Sequence, residues 1–126
     1  MYFQGFTCWL MESKEHMKLI HVTTPEIAED IKNNGFDPKP FIDYKYYAGF
    51  GKSGIYFYLY LRQAQHYAYF LKSKTHVDKV AVLFCTAPTN IIQNTGKLED
   101  GYFIKSKNLD KVTINRIEIK KCEDIY

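Results

Sequence analysis

The chain has 126 residues, 46% of them hydrophobic and 25% charged, a balance that excludes a disordered polymer and fits one folded domain with its own core. Its net charge of +3, carried by scattered lysines, falls far short of the basic footprint of a dedicated nucleic-acid binder but accommodates an anionic ligand. Aromatic residues reach 17%, from eleven Tyr, nine Phe and one Trp, enough to furnish both a core and the lining of a ring-binding pocket.

Taken in order, Tyr2-Phe3-Gln4-Gly5 reads as the remnant of a cleavable expression tag, so residues 1–5 are set aside and 6–126 form a single domain. Residues 6–11 read as a short edge strand and 12–16 as a polar turn. Met17 to Val22 is the first firm strand pattern, branched in its second half. A helix start follows in Thr23-Thr24-Pro25-Glu26: Thr24 caps, Pro25 suits the first helical position, and Glu26 sits where the helix dipole favours an acid. Ile27, Ala28 and Ile31 share a face and Gly35 supplies the stop, which predicts a helix over 25–34.

Residues 36–51 have no clean period and contain two prolines with Phe41, Tyr44, Tyr46, Tyr47 and Phe50, a composition expected of a loop acting as a wall or lid. Gly49, Gly51 and Gly54 then lead into Ile55-Tyr56-Phe57-Tyr58, a glycine turn feeding an aromatic strand. Leu61, Ala64, Ala68 and Leu71 make one buried stripe and predict a second helix over 61–71, with Tyr67 at the edge of the stripe; residues 72–79 read as a turn. Lys79 to Thr86 has the pattern of a central strand closed by Pro88. Ile91-Ile92 reads as a strand fragment, 97–101 as a polar turn, 102–104 as a strand and 105–111 as a loop. Val112 and Ile114 alternate in one phase, Ile117 and Ile119 in the other, so a bulge at Asn115-Arg116 is expected in a terminal antiparallel strand. The sum is an α+β plan, a split and mostly antiparallel sheet with two short helices.

Cys8, Cys85 and Cys122 are far apart and form no C-x-x-C pair, which favours a reducing intracellular compartment such as the cytoplasm over a disulfide framework; secretion into a host cell stays open. Cys85 falls inside an apolar strand, where burial would keep it inert. His16, His66 and His76 have no partners at metal-ligand spacing, and no apolar run reaches membrane-spanning length, so neither a metal nor a membrane is expected.

Three pieces of the chain together resemble a known family. His21-Val22-Thr23-Thr24 closes a strand, Asn34-Gly35-Phe36 closes the first helix, and Gly51-Lys52-Ser53-Gly54-Ile55-Tyr56-Phe57 precedes a helix with Tyr67 eleven residues beyond Tyr56. This arrangement, over residues 19–119, resembles the catalytic domain of the diphtheria-toxin-like and poly(ADP-ribose)-polymerase-like ADP-ribosyltransferases. The resemblance implies the ADP-ribosyltransferase fold and NAD as the bound dinucleotide. It implies that His21 bonds an adenosine ribose hydroxyl, that Thr23 supports that turn, and that the backbone at Val22 recognises the nicotinamide carboxamide. Tyr56 would pack under the nicotinamide or its ribose and Tyr67 would stack on the ring from the other side, with Tyr47 in the wall and Gly54 in the floor. Ala64 stands where the family often has a serine bonded to the carboxamide, a bond alanine lacks.

Polymer-forming members carry a glutamate directly before the strand matching Tyr102-Phe103-Ile104, where it polarises the ribose 2'-hydroxyl. Here that position is Gly101, preceded by Glu99 and Asp100. Three alternatives stay open: Glu99 or Asp100 takes the role, the enzyme works without it, or the domain is inactive. The resemblance thus implies a mono-ADP-ribosyltransferase that releases nicotinamide, with Glu99, Asp100 and Tyr56 as its catalytic residues. A non-enzymatic NAD, ADP-ribose or protein-binding module and an NAD glycohydrolase are the alternatives. A protein acceptor ranks ahead of nucleic acid, and a monomer is the default expectation.

Overall fold

The computed structural model describes residues 15–36, 54–94 and 101–125. The expected tag remnant, the edge strand at 6–11, the aromatic loop beyond Phe36 and the turn holding Glu99 and Asp100 lie outside them. In chain order the elements are β1 (His16–Thr23), α1 (Pro25–Asn34), β2 (Gly54–Phe57), α2 (Leu61–Thr75), β3 (Lys79–Pro88), β4 (Gln93–Asn94), β5 (Tyr102–Lys105) and β6 (Thr113–Lys121). Short 3-10 turns occupy Thr89–Ile91, Ser106–Lys111 and Cys122–Asp124.

The strands form two antiparallel three-stranded sheets, in the orders β1-β3-β6 and β2-β5-β4. This is an α+β architecture. Alternation along β1 divides the core. Leu19 joins Ala28 and Ile31 of α1, Leu83 and Cys85 of β3, and Ile55, Phe57 and Ile104 of the second sheet. Ile20 and Val22 point the other way, into a cluster with Ala64, Ala68 and Leu71 of α2.

The expected helix start is present in detail. The Thr24 hydroxyl accepts from the Ile27 amide at 3.3 Å, Pro25 occupies the first turn, and the chain leaves α1 at Gly35 with φ of 81°. At the other helix the Gln63 side chain accepts from the amides of Leu59 and Tyr60, both at 3.2 Å, satisfying donors at the N-terminus of α2. That helix runs four residues past the predicted end and stops at His76, which adopts φ of 60° while its amide bonds the Lys72 carbonyl. Lys72 and Lys74 are good helix formers among the polar residues after Leu71, so lost apolar periodicity there marks exposure instead of a turn. The predicted 105–111 loop is largely a 3-10 turn that buries Leu109.

In β6 the register shifts between Phe84 and Cys85, which face Arg116 and Ile114, so Asn115 is the extra residue of the expected bulge. The bulge returns Ile114 to the face of Ile117 against the core. Arg116, Glu118 and Lys120 form a surface ion-pair row at 2.7 and 3.2 Å along this strand, a charged edge of the kind that discourages strand addition.

Gly101 enters β5 with φ of 69°, and a Cβ there would strike the Phe57 carbonyl and lie 2.9 Å from Tyr58 Cδ1. Left-handed backbone and backbone crowding coincide at this residue, so only glycine fits. Gly101→Ala is expected to destabilise the fold by about 2 kcal/mol or more, against about 1 kcal/mol for removing the α1 cap with Thr24→Ala. Urea unfolding of both variants checks the order; equal losses would mean that β2 yields to the added methyl.

Candidate functional site

The two sheets meet along one edge. Ile20 of β1 and Tyr58, just past β2, exchange both backbone hydrogen bonds at 2.7 Å, and the bridge is isolated. Continuing that antiparallel register would pair Val22 with Tyr56. It does not happen. The Tyr56 carbonyl instead accepts from the imidazole of His21 at 3.0 Å. A side chain thus replaces the next rung of the ladder and holds the strands apart.

The opening has defined chemistry. Backbone alternation puts the N–H and C=O of Val22 on the same edge as those of Ile20, facing the gap, and no bond across it joins Val22 to Tyr56 among the described residues. A donor and an acceptor side by side on one strand edge match the two polar atoms of a primary carboxamide. Val22 as a whole residue, backbone included, is 1% exposed, and its side chain packs in the cluster of Ala64, Ala68 and Leu71 of α2, so it is a core residue and the gap beside its backbone is closed to solvent.

His21 lies on the opposite face of β1, buried between Phe57 (ring centroids 5.3 Å) and Phe36 (5.8 Å, edge-on). Donation to a carbonyl requires the proton on Nδ1 and makes Nε2 the acceptor of the neutral ring. Burial disfavours the charged form and pushes the imidazole pKa down to about 4, the bond to Tyr56 opposing this only in part. Thr23, also buried, follows at the end of the strand.

On the α2 side three tyrosines gather. Tyr56 lies against Phe103, its register partner on β5, with ring centroids 5.0 Å apart and planes tilted by 55°, and Tyr58 lies against Tyr67 at 5.7 Å with planes tilted by 35°. The Tyr67 hydroxyl oxygen is buried and has no hydrogen-bond partner, a cost that an unsatisfied polar atom normally avoids. Burial, aided by Tyr58, holds its pKa well above the phenol range, so it stays a neutral donor. Ala64 is fully buried in the cluster containing Val22, a packing position. Gly54 is buried where a Cβ would strike the Ile104 carbonyl and the Phe103 ring, so close passage of β2 over β5 demands glycine.

The structure therefore brings Val22, Tyr56 and His21 to one junction, with Tyr67 and Ala64 on the α2 side of β1 and His21 on the α1 side. Tyr47, Glu99 and Asp100 lie outside the described residues. Sequence reasoning missed the cage of Phe36 and Phe57 around His21, the stacking of Tyr58 on Tyr67, and Phe103 under Tyr56. Alternation from Tyr56 offered a signal for Tyr58; the others depend on cross-strand register.

No group of three or more His, Cys, Asp or Glu could hold a metal among the described residues, and no helix among them is long and apolar enough to cross a membrane. Cys85 is buried and its thiol is pushed up to about 12 by burial, far from a reactive thiolate. No family model matches the chain, and no curated protein and no solved structure is significantly similar to it.

The buried imidazole makes stability pH-dependent. Above pH 6.5 it is neutral in both states; between 6.5 and about 4 the unfolded chain binds a proton that the folded chain refuses, so stability falls as pH falls. From pH 7 to 4.5 the native protein is expected to lose about 2–3 kcal/mol more than His21→Asn, in which the amide can still donate to Tyr56. Urea midpoints at the two pH values measure this; parallel losses would mean that His21 charges freely in the folded state.

Proposed function

We propose that the chain is an ADP-ribosyltransferase-type domain that binds NAD at the junction of its two sheets and transfers ADP-ribose to an acceptor, releasing nicotinamide. The observation that carries this reading is the interrupted ladder: a strand-end histidine takes the Tyr56 carbonyl and frees the Val22 backbone for a carboxamide. The unsatisfied Tyr67 hydroxyl supports it, because a ligand beside Tyr67 could supply the missing partner. So do the sequence pattern from His21 to Tyr67 and the two antiparallel sheets.

In this reading Val22 N–H and C=O hold the carboxamide, Tyr67 stacks on the nicotinamide ring, and Tyr56 packs beneath it. His21 Nε2 accepts from an adenosine ribose hydroxyl, which requires Phe36 to swing off the imidazole. Glu99 or Asp100 polarises the 2'-hydroxyl of the nicotinamide ribose while the acceptor attacks C1' and the glycosidic bond breaks. Gly101 cannot be the family's glutamate position in this conformation, since the backbone of Phe57 occupies the space a side chain would need. The family role therefore falls to a residue before it, and mono-transfer is the fitting outcome.

A second reading, binding without catalysis, draws on the same glycine and on Ala64. One supplies no carboxylate and the other no hydroxyl.

Incubation with NAD labelled in its adenylate portion, with and without a cell lysate, separates the outcomes. Transfer predicts labelled macromolecules and free nicotinamide, abolished by a Glu99→Gln, Asp100→Asn double variant. Free ADP-ribose without labelling indicates a glycohydrolase, and binding without either product indicates the module. Tyr67→Ala is expected to weaken NAD binding about fivefold to tenfold by removing the stack. NAD affinity unchanged in both Tyr67→Ala and His21→Ala would contradict the site.

A further inference from the structure

The first sheet ends on one side at β6, and among the described residues that strand pairs with β3 alone. The bridge at the other edge of the sheet tells which backbone groups of β6 point outward. Ile20 turns its N–H and C=O away from β3 to meet Tyr58, so Phe84, opposite Ile20, turns its own away from β1 and towards β6. Phe84 pairs with Arg116, Val82 with Glu118 and Val80 with Lys120. These three residues of β6 therefore spend their backbone groups on β3, while Ile117, Ile119 and Lys121 direct theirs out of the sheet.

Three features mark that outer edge. Ile119 is 50% exposed, and it is the one strand residue among the exposed large hydrophobic side chains of the described residues. The bulge at Asn115 interrupts regular pairing on one side and the 3-10 turn from Cys122 ends the strand on the other, so residues 116–121 are the regular stretch. Glu118 sits between Arg116 and Lys120 in the ion-pair row, so charge alternates in sign along one face of this stretch. Such a row resists most added strands, but it matches one register of its own copy.

We propose that the chain forms a symmetric dimer by antiparallel pairing of β6 with β6 of a second copy, the two-fold axis passing beside Ile119. In this register Ile119 exchanges backbone bonds with the second copy's Ile119, and Ile117 with the second copy's Lys121, so the outward groups of all three residues are used. The two exposed Ile119 side chains come side by side. Glu118 falls opposite the second copy's Lys120 at a non-hydrogen-bonded position, where side chains approach most closely, and symmetry repeats the pair. An axis at Glu118 would oppose the two Glu118 carboxylates and set Arg116 against Lys120, and an axis at Lys120 would oppose the two lysines. An axis at Ile117 pairs Arg116 with Glu118 but carries each strand across the bulge of the other. An unrelated extended peptide could take the backbone bonds but has no reason to match the charge row. Because β1 lies at the opposite edge of the sheet, this pairing leaves the junction of β1 with β2 untouched.

Sedimentation equilibrium from about 1 μM to about 1 mM tests the proposal; so short a ladder belongs at the small end of interfaces, and a dissociation constant of about 10–100 μM is expected. Glu118→Lys and Lys120→Glu each set like charges opposite one another and are expected to weaken dimerisation about tenfold, while the double variant carrying both restores it. Ile119→Pro removes an outward N–H that β3 does not use and is expected to abolish the dimer with the circular dichroism spectrum unchanged. Should Ile119→Pro fail to fold, the charge-swap series decides alone. A monomer throughout the concentration range overturns the proposal. So does a dimer that survives a folded Ile119→Pro, which would place the interface elsewhere, and a double variant that stays as weak as the single ones, which would exclude this register.

Discussion

The structure turns on a substitution of one hydrogen bond for another at the junction of the sheets. After Ile20 and Tyr58 exchange their backbone bonds, the next rung would join Val22 to Tyr56, and the His21 imidazole takes its place. Much follows from that replacement. The first sheet closes one side of the core and the second sheet the other, yet the two separate beyond a single bridge. Among the described residues no backbone bond joins Val22 to Tyr56, and an imidazole that must donate to a carbonyl while buried among aromatic rings is held neutral.

Around the junction, backbone and side chain of the same residue have separate partners. Val22 buries its side chain against α2. Tyr56 gives its carbonyl to His21 and rests its ring, tilted, against Phe103. Tyr67 lies between the rings of Tyr58 and Phe70 while its hydroxyl is left unsatisfied, a local cost set against that packing. Gly101 adds a constraint of another kind. Its left-handed conformation against Phe57 aligns β5 with β2 and at the same time denies that position to an acid.

Local signals carried far in the sequence. Thr24 and Pro25 announced α1, Gly35 its end, and the change of phase between Ile114 and Ile117 located the bulge at Asn115 to within a residue. The stripe at Ala64, Ala68 and Leu71 found α2, but its end was misjudged because a solvent-facing turn has no apolar period to show. What remained hidden depends on pairs distant in the chain. Nothing local links His21 to the Tyr56 carbonyl 35 residues away, or sets Phe103 beneath Tyr56. Partial burial is the ordinary reading of a strand-end histidine such as His21, but its full enclosure by Phe36 and Phe57 has no local signal.

The central claim is that the opening beside Val22 receives a nicotinamide, and a crystal structure with benzamide, a minimal nicotinamide mimic, addresses it most directly. The account predicts the carboxamide bonded to the N–H and C=O of Val22, the ring against Tyr67, and the His21–Tyr56 bond intact. Benzamide bound elsewhere, or a Val22 edge closed by pairing with Tyr56, would contradict it.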